Sequence, residues 1–174
     1  YLALLLIWGI PYQIFPVIAL CCNIIVVSGN CFNFIREGDA NLKLVIPYLI
    51  LSVPLAFIGG SLDIEQDTFE VMLFVILFIA GFLLLLKFKS FEDKNKAYKK
   101  IPTIISLLIG GTIGFVSGVV GIGGGIFLSP ILFLFRVGKA KHLATTASIF
   151  ILINSLAGIT GQITKDSILS EIYN

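Results

Sequence analysis

The chain has 174 residues, of which 57% are hydrophobic and 13% charged, with a net charge of +2 and a mean hydropathy of +1.04. Soluble domains carry roughly 25% charged residues, so this chain has about half the charge that a water-facing surface requires, and a soluble monomer is excluded. The small net charge also excludes nucleic acid as a partner, and the 12 basic residues matter for where they sit.

The chain opens at Tyr1 in apolar sequence, with neither a start methionine nor the basic segment of a signal peptide, and reads as an interior piece of something longer. Tyr1 to Trp8 is too short to cross a bilayer and reads as the end of an interrupted helix. Three segments then have the roughly 20 apolar residues that a span needs: 14–35, 44–62 and 68–86. The third holds fourteen Leu, Ile, Val or Phe residues and inserts without help from a partner. Pro16, Pro47 and Pro54 fall inside spans and predict kinks. Trp8, Tyr12 and Tyr98 suit interfacial anchoring. Cys21, Cys22 and Cys31 are odd in number and lie in one apolar stretch, so they read as free thiols, not as a disulfide framework.

Residues 101–135 are too many for one crossing and too few for two comfortable ones. Gly121-Ile122-Gly123-Gly124-Gly125 sits in their middle, and each glycine costs about 1 kcal/mol relative to alanine in a helix. Two shorter helices joined by a glycine break are predicted, either as a re-entrant hairpin or as one broken crossing. A further full span follows at Leu143–Thr164.

The charges separate the two cases. With a re-entrant hairpin, Arg36, Lys43, the six lysines from Lys87 to Lys100, Arg136, Lys139 and Lys141 share one side, which is 11 of 12 basic residues. With a crossing the split is nine to three. The positive-inside rule favours the hairpin and makes the basic side, with the 87–100 connector, cytoplasmic. The loop with Asp63, Glu65, Asp67 and Glu70 falls on the other side.

A shift of 127 residues gives a weak internal match, laying Trp8-Gly9-Ile10-Pro11 on Phe135-Arg136-Val137-Gly138 and Ile25-Val26-Val27-Ser28 on Leu152-Ile153-Asn154-Ser155. The expected fold is an all-α polytopic membrane protein of two incomplete, inverted repeats with glycine-broken, re-entrant helices. Residues 1–86 form the first repeat, 87–100 a basic connector and 101–174 the second. Inverted repeats are the geometry of alternating access.

Gly110, Gly114 and Gly118 form a small-residue stripe that packing explains. The cluster Gly121, Gly123, Gly124 and Gly125 bares backbone at membrane depth just before the N-terminus of the next helix, which suits an anion. No span carries an Asp, Glu, Lys or Arg, apart from Glu70 at an edge, which speaks against a cation pump or carboxylate proton relay. Thr145, Ser148, Ser155 and Gln162 share one helical face, as do Asn23, Asn30 and Asn33 on the span at 14–35. Such polar stripes either bond to other helices or line a substrate path. Pro130 either kinks its half-helix or marks its first turn.

Gly114 to Gly125, with Pro130 five residues on and then Ala144-Thr145-Thr146-Ala147-Ser148, resembles the TauE/SafE sulfite exporter family. Under the 127-residue shift the first copy departs from the second, with Ala3 for Pro130 and Cys21 for Ser148. The resemblance implies a multi-span transporter of small sulfur-containing anions such as sulfite or organosulfonates. The candidate binding residues are Gly121, Gly123, Gly124, Gly125, Pro130, Thr145, Thr146, Ser148, Ser155 and Asn23. The expected partners are a small anionic solute and the lipid bilayer, with a homo-oligomer admitted; no cofactor is expected, and no Cys/His cluster has metal spacing. Two rival readings are a structural or assembly membrane protein and an intramembrane hydrolase using Ser117 and His142. The Rossmann pattern needs a glycine where Ile126 stands, and Gly138-Lys139 precedes alanine, so nucleotide motifs fail.

Overall fold

The structure, a computed structural model, describes residues 14–36, 42–87, 101–135, 137 and 140–165. Expectations for Tyr1 to Tyr12, most of the basic connector, Arg136 and Lys139 lie outside the described residues. Among these residues six helices follow in order: α1 (Phe15–Arg36), α2 (Leu42–Ser61), α3 (Gln66–Lys87), α4 (Thr103–Val120), α5 (Gly125–Leu134) and α6 (Ala140–Ile163). There is no strand among the described residues.

Among the described residues, four helices are long and apolar enough to cross a membrane, over Phe15–Phe34, Lys43–Ser61, Thr103–Val120 and Lys141–Ile163. Helix α3 matches the third expected span, and its 22 residues rise about 33 Å. Its outer face shows Val71, Phe74, Val75, Phe78, Phe82 and Leu85, the surface expected of a helix with no aqueous side. Pro16 falls in the first turn of α1, where a missing N–H costs no helical bond, while Pro47 and Pro54 lie within α2.

The stretch 101–135 forms two helices joined at the glycine break, as expected, but of unequal length. Helix α4, with 18 residues, is long enough to cross by itself, and only the 10-residue α5 is short. The left-handed Gly121 (φ 77°) stops α4, its N–H closing the last turn on the Ser117 carbonyl at 2.8 Å. Gly123 and Gly124 also have positive φ, and Gly124 caps the start of α5. Only glycine takes three such conformations in four residues without a cost of about 1–2 kcal/mol at each.

The close approaches fix how the helices run. Gly110 lies against the backbone of Tyr48, Gly114 against Ser52 and Gly118 against Ala56, so α2 and α4 advance together and are parallel. Gly60 lies against Gly158 and Gly161, and Ser52 bonds to Asn154, so α6 runs parallel to both. Helix α1 is antiparallel to α6. Its Leu20 meets Gly158, while Val27 and Cys31, farther along, cluster with Ile149. After the break the chain turns back on α4, with Gly124 beside Ile113 and Ser117 and Gly125 beside Ile151. The main core joins Phe69, Leu73 and Ile76 of α3 to Phe127, Leu128 and Leu132 of α5 and to Val119, Val120, Leu143 and Phe150.

Candidate functional site at the glycine break

The break is a four-residue turn wedged between α1, α4 and α6. A Cβ added to Gly123 would meet Asn23 Nδ2 at 2.7 Å, the Ile151 side chain at 2.9 Å and Ser155 Oγ at 3.3 Å. One added to Gly124 would meet Ile113, Phe150 and the Cβ of Ser117. Glycine is therefore favoured here both by φ and by the side chains that close over it.

Polar groups converge on this turn. Asn23 Nδ2 donates to the Gly121 carbonyl at 3.5 Å, at the limit of a hydrogen bond. Ser117 and Ser155 are buried, at 1% and 0% exposure, and neither hydroxyl has a hydrogen-bond partner. In a native structure such orphaned groups call for an explanation, because a buried polar group without a partner costs about 1–3 kcal/mol. The N-terminus of α5 adds donors: Phe127 and Leu128 bond back to the Gly124 carbonyl, no side chain caps the helix, and the N–H groups of Gly125 and Ile126 have no acceptor within it. The helix dipole places partial positive charge at the same point.

Of the residues expected from sequence, Gly121, Gly123, Gly124, Gly125, Asn23 and Ser155 come together at this turn. Ser148 is buried one residue past Ala147, whose carbonyl faces Gly125. Thr145 and Thr146 sit lower on α6, about 13–15 Å from Ser155 by helical rise. Their hydroxyls bond to the carbonyls of Lys141 and His142 at 2.9 and 2.8 Å. Pro130 is buried within α5, not at its start. Gln162 lies two turns beyond Ser155 and donates to the Gly118 carbonyl at 3.0 Å. Asn30 and Asn33 share a face with Asn23 but are exposed.

Two buried groups were missed. Ser52 Oγ donates to Asn154 Oδ1 at 2.6 Å, and Asn154 Nδ2 donates to the Phe150 carbonyl at 2.9 Å, which ties α2 to α6. Only the apolar surroundings of these residues hinted at such a bond. Ser117 was considered only as a nucleophile. Gly118 packs at the level of Gly158, so Ser117 and His142 stand about 20 Å apart along the bundle and form no nucleophile–base pair. Near the far end of α6, burial pulls the Lys165 pKa down from the ordinary lysine value, while the Asp63 charge pulls it up.

A family model, Sulfite exporter TauE/SafE, matches residues 1–172. The chain belongs to the TauE/SafE family. It is 31% identical over 155 residues to a probable membrane transporter protein of Sinorhizobium fredii, covering 87% of this chain and 61% of that protein. A probable membrane transporter protein of Methanocaldococcus jannaschii is 26% identical over 147 residues, covering 83% of this chain and 54% of that protein. The chain thus spans between about half and three-fifths of the length of these relatives. No solved structure matches it. Family membership and the four candidate spans make it an integral membrane protein.

Proposed function

We propose that this chain is part of a membrane transporter for small sulfur-containing anions, such as sulfite or organosulfonates, and that the anion is held at the glycine break. The observation that carries this reading is the Ser155 hydroxyl, buried and unpartnered beside Gly123 at the N-terminus of α5. With the Asn23 amide and the N–H groups of Gly125 and Ile126, it offers donors without a cationic side chain. An anion stripped of water needs such preorganised dipoles, and they act most strongly where the dielectric is low.

Helices α4 and α6 run parallel and therefore start on the same side of the bundle, so α5 brings the chain back to that side. In a bilayer this is a re-entrant hairpin. It supports the assignment of 11 of 12 basic residues to one face, which is cytoplasmic by the positive-inside rule. The antiparallel α1 and α6 are the two helices that the 127-residue shift superposes, as a pair of inverted repeats requires. Movement of one repeat against the other then exposes the break to each side in turn.

The turn is tightly closed in this structure, so the site opens by displacing Asn23 and Ile151 from Gly123. Sulfite flux in proteoliposomes of the full-length protein tests the proposal. Ser155→Ala and Asn23→Leu are each expected to lower flux by about tenfold or more, the loss expected for a hydrogen bond to a charged ligand. Unchanged flux in both variants removes the break as the site.

A further inference from the structure

One buried atom near the break has the opposite character to an anion site. Gln162, on the last turn of α6, is fully buried, and its Nε2 donates to the Gly118 carbonyl at 3.0 Å. That bond holds the amide head on the last turn of α4 and leaves Oε1 buried without a partner. An amide oxygen only accepts, so an anion makes no use of it. It calls for a donor or a cation.

The end of α4 supplies more oxygens of the same kind. Helix geometry leaves the last four carbonyls without partners in the helix. The Ser117 carbonyl takes the Gly121 N–H and the Gly118 carbonyl takes Gln162, while those of Val119 and Val120, on residues 3% and 0% exposed, meet no donor among the described residues. The Ser117 hydroxyl, on the same turn, is also buried and unpartnered, and a hydroxyl oxygen can accept as well as donate. The α4 dipole places partial negative charge at this end.

We propose that the last turn of α4, with Gln162 Oε1 and Ser117 Oγ, binds a small monovalent metal cation, sodium in the first instance. The ligand class follows from the oxygens, all of which are neutral. A divalent ion is held by carboxylates, and α1, α2, α4, α5 and α6 contain no Asp or Glu. A proton has no carrier, because neither an amide nor a serine hydroxyl titrates in the working pH range. Zinc or copper would draw on nitrogen or sulfur ligands, which this turn lacks. The break then joins two helix ends of opposite polarity, with the cation at the end of α4 and the anion at the start of α5. Their attraction in a low-dielectric interior makes each raise the affinity of the other by the same factor. That coupling rests on the proposed anion site, whereas the cation site stands on α4 and Gln162 alone.

Thermal unfolding of the full-length protein in sodium, potassium or N-methylglucamine gluconate, with and without sulfite, tests the site. Sodium is expected to raise the unfolding midpoint, since an ion that binds only the folded state stabilises it by mass action. Ser117→Ala breaks no existing bond, and it is expected to raise the sodium concentration for half of that shift about tenfold. Gln162→Met is expected to abolish the shift and Gln162→Glu, which keeps an acceptor oxygen, to retain it. If Gln162→Met does not fold, Ser117→Ala decides. A sodium shift that is absent, matched by N-methylglucamine or unchanged in Ser117→Ala and Gln162→Met overturns the proposal and leaves a buried water at Gln162. A sodium shift without any sulfite effect upholds the cation site and counts against the anion reading alone.

Discussion

Glycines do two different jobs in this molecule, and what they touch separates them. In the α2–α4–α6 layer, a Cβ on Gly59, Gly60, Gly110, Gly118 or Gly161 would meet backbone: the Phe115, Gly158, Tyr48, Ala56 and Phe57 carbonyls respectively. At the break, a Cβ on Gly123, Gly124 or Gly125 would first meet side chains: Asn23, Ile113 and Ile151. Backbone of a packed helix cannot yield without moving the helix, while a side chain can change rotamer. The layer is therefore a fixed scaffold, tied further by Ser52 to Asn154 and Gln162 to Gly118. Past Gly121, which lies against the Pro16 backbone, the break is closed by side chains that can move.

The difference predicts opposite consequences for similar substitutions. Gly118→Leu pushes four carbons into the Ala56 carbonyl and is expected to cost about 3 kcal/mol or more, seen as loss of folded protein in a detergent unfolding assay. Gly123→Ala meets an amide and a hydroxyl and keeps its positive φ at a cost of about 1–2 kcal/mol. It is expected to stay folded while sulfite flux falls, because Asn23 and Ser155 are displaced. If Gly123→Ala unfolds the protein as Gly118→Leu does, the two regions are not different in kind. A double-mutant cycle on Ser52→Ala and Asn154→Ala is expected to give a coupling of about 0.6 kcal/mol, with about 1.7 kcal/mol as an upper limit, as interhelical bonds in membranes do. Ser155→Ala is the smallest of the four on stability, expected within about 0.5 kcal/mol of the parent because the lost hydroxyl had no partner.

The helices were largely legible because bilayer thickness fixes how long an apolar run must be. The runs 14–35, 44–62, 68–86 and 143–164 correspond to α1, α2, α3 and α6. The glycine cluster located the break because no helix passes through it. Reading 101–135 as two helices about that break left their lengths open, and the 18 residues of α4 against the 10 of α5 came from the structure. The parallel arrangement of α2, α4 and α6 leaves no trace in periodicity, since the Gly110, Gly114 and Gly118 stripe shows that a partner comes close without showing which one. Asn23 and Ser155 stood out as polar residues in apolar helices, but their meeting at Gly123 depends on the antiparallel register of α1 on α6. The polar stripe on α6 suggested one lining, yet Thr145 and Thr146 bond within their own helix. Periodicity assigns a face, and it does not say whether a hydroxyl is turned inward to its own backbone or outward to a ligand.

Calorimetric titration of sulfite into the full-length protein, parent against Ser155→Ala at equal folded fraction, bears most directly on the break as the place where solute is held. The parent is expected to bind and the variant to bind about tenfold or more weakly, as the loss of a hydrogen bond to a charged ligand predicts. Equal affinity of the two proteins would contradict it.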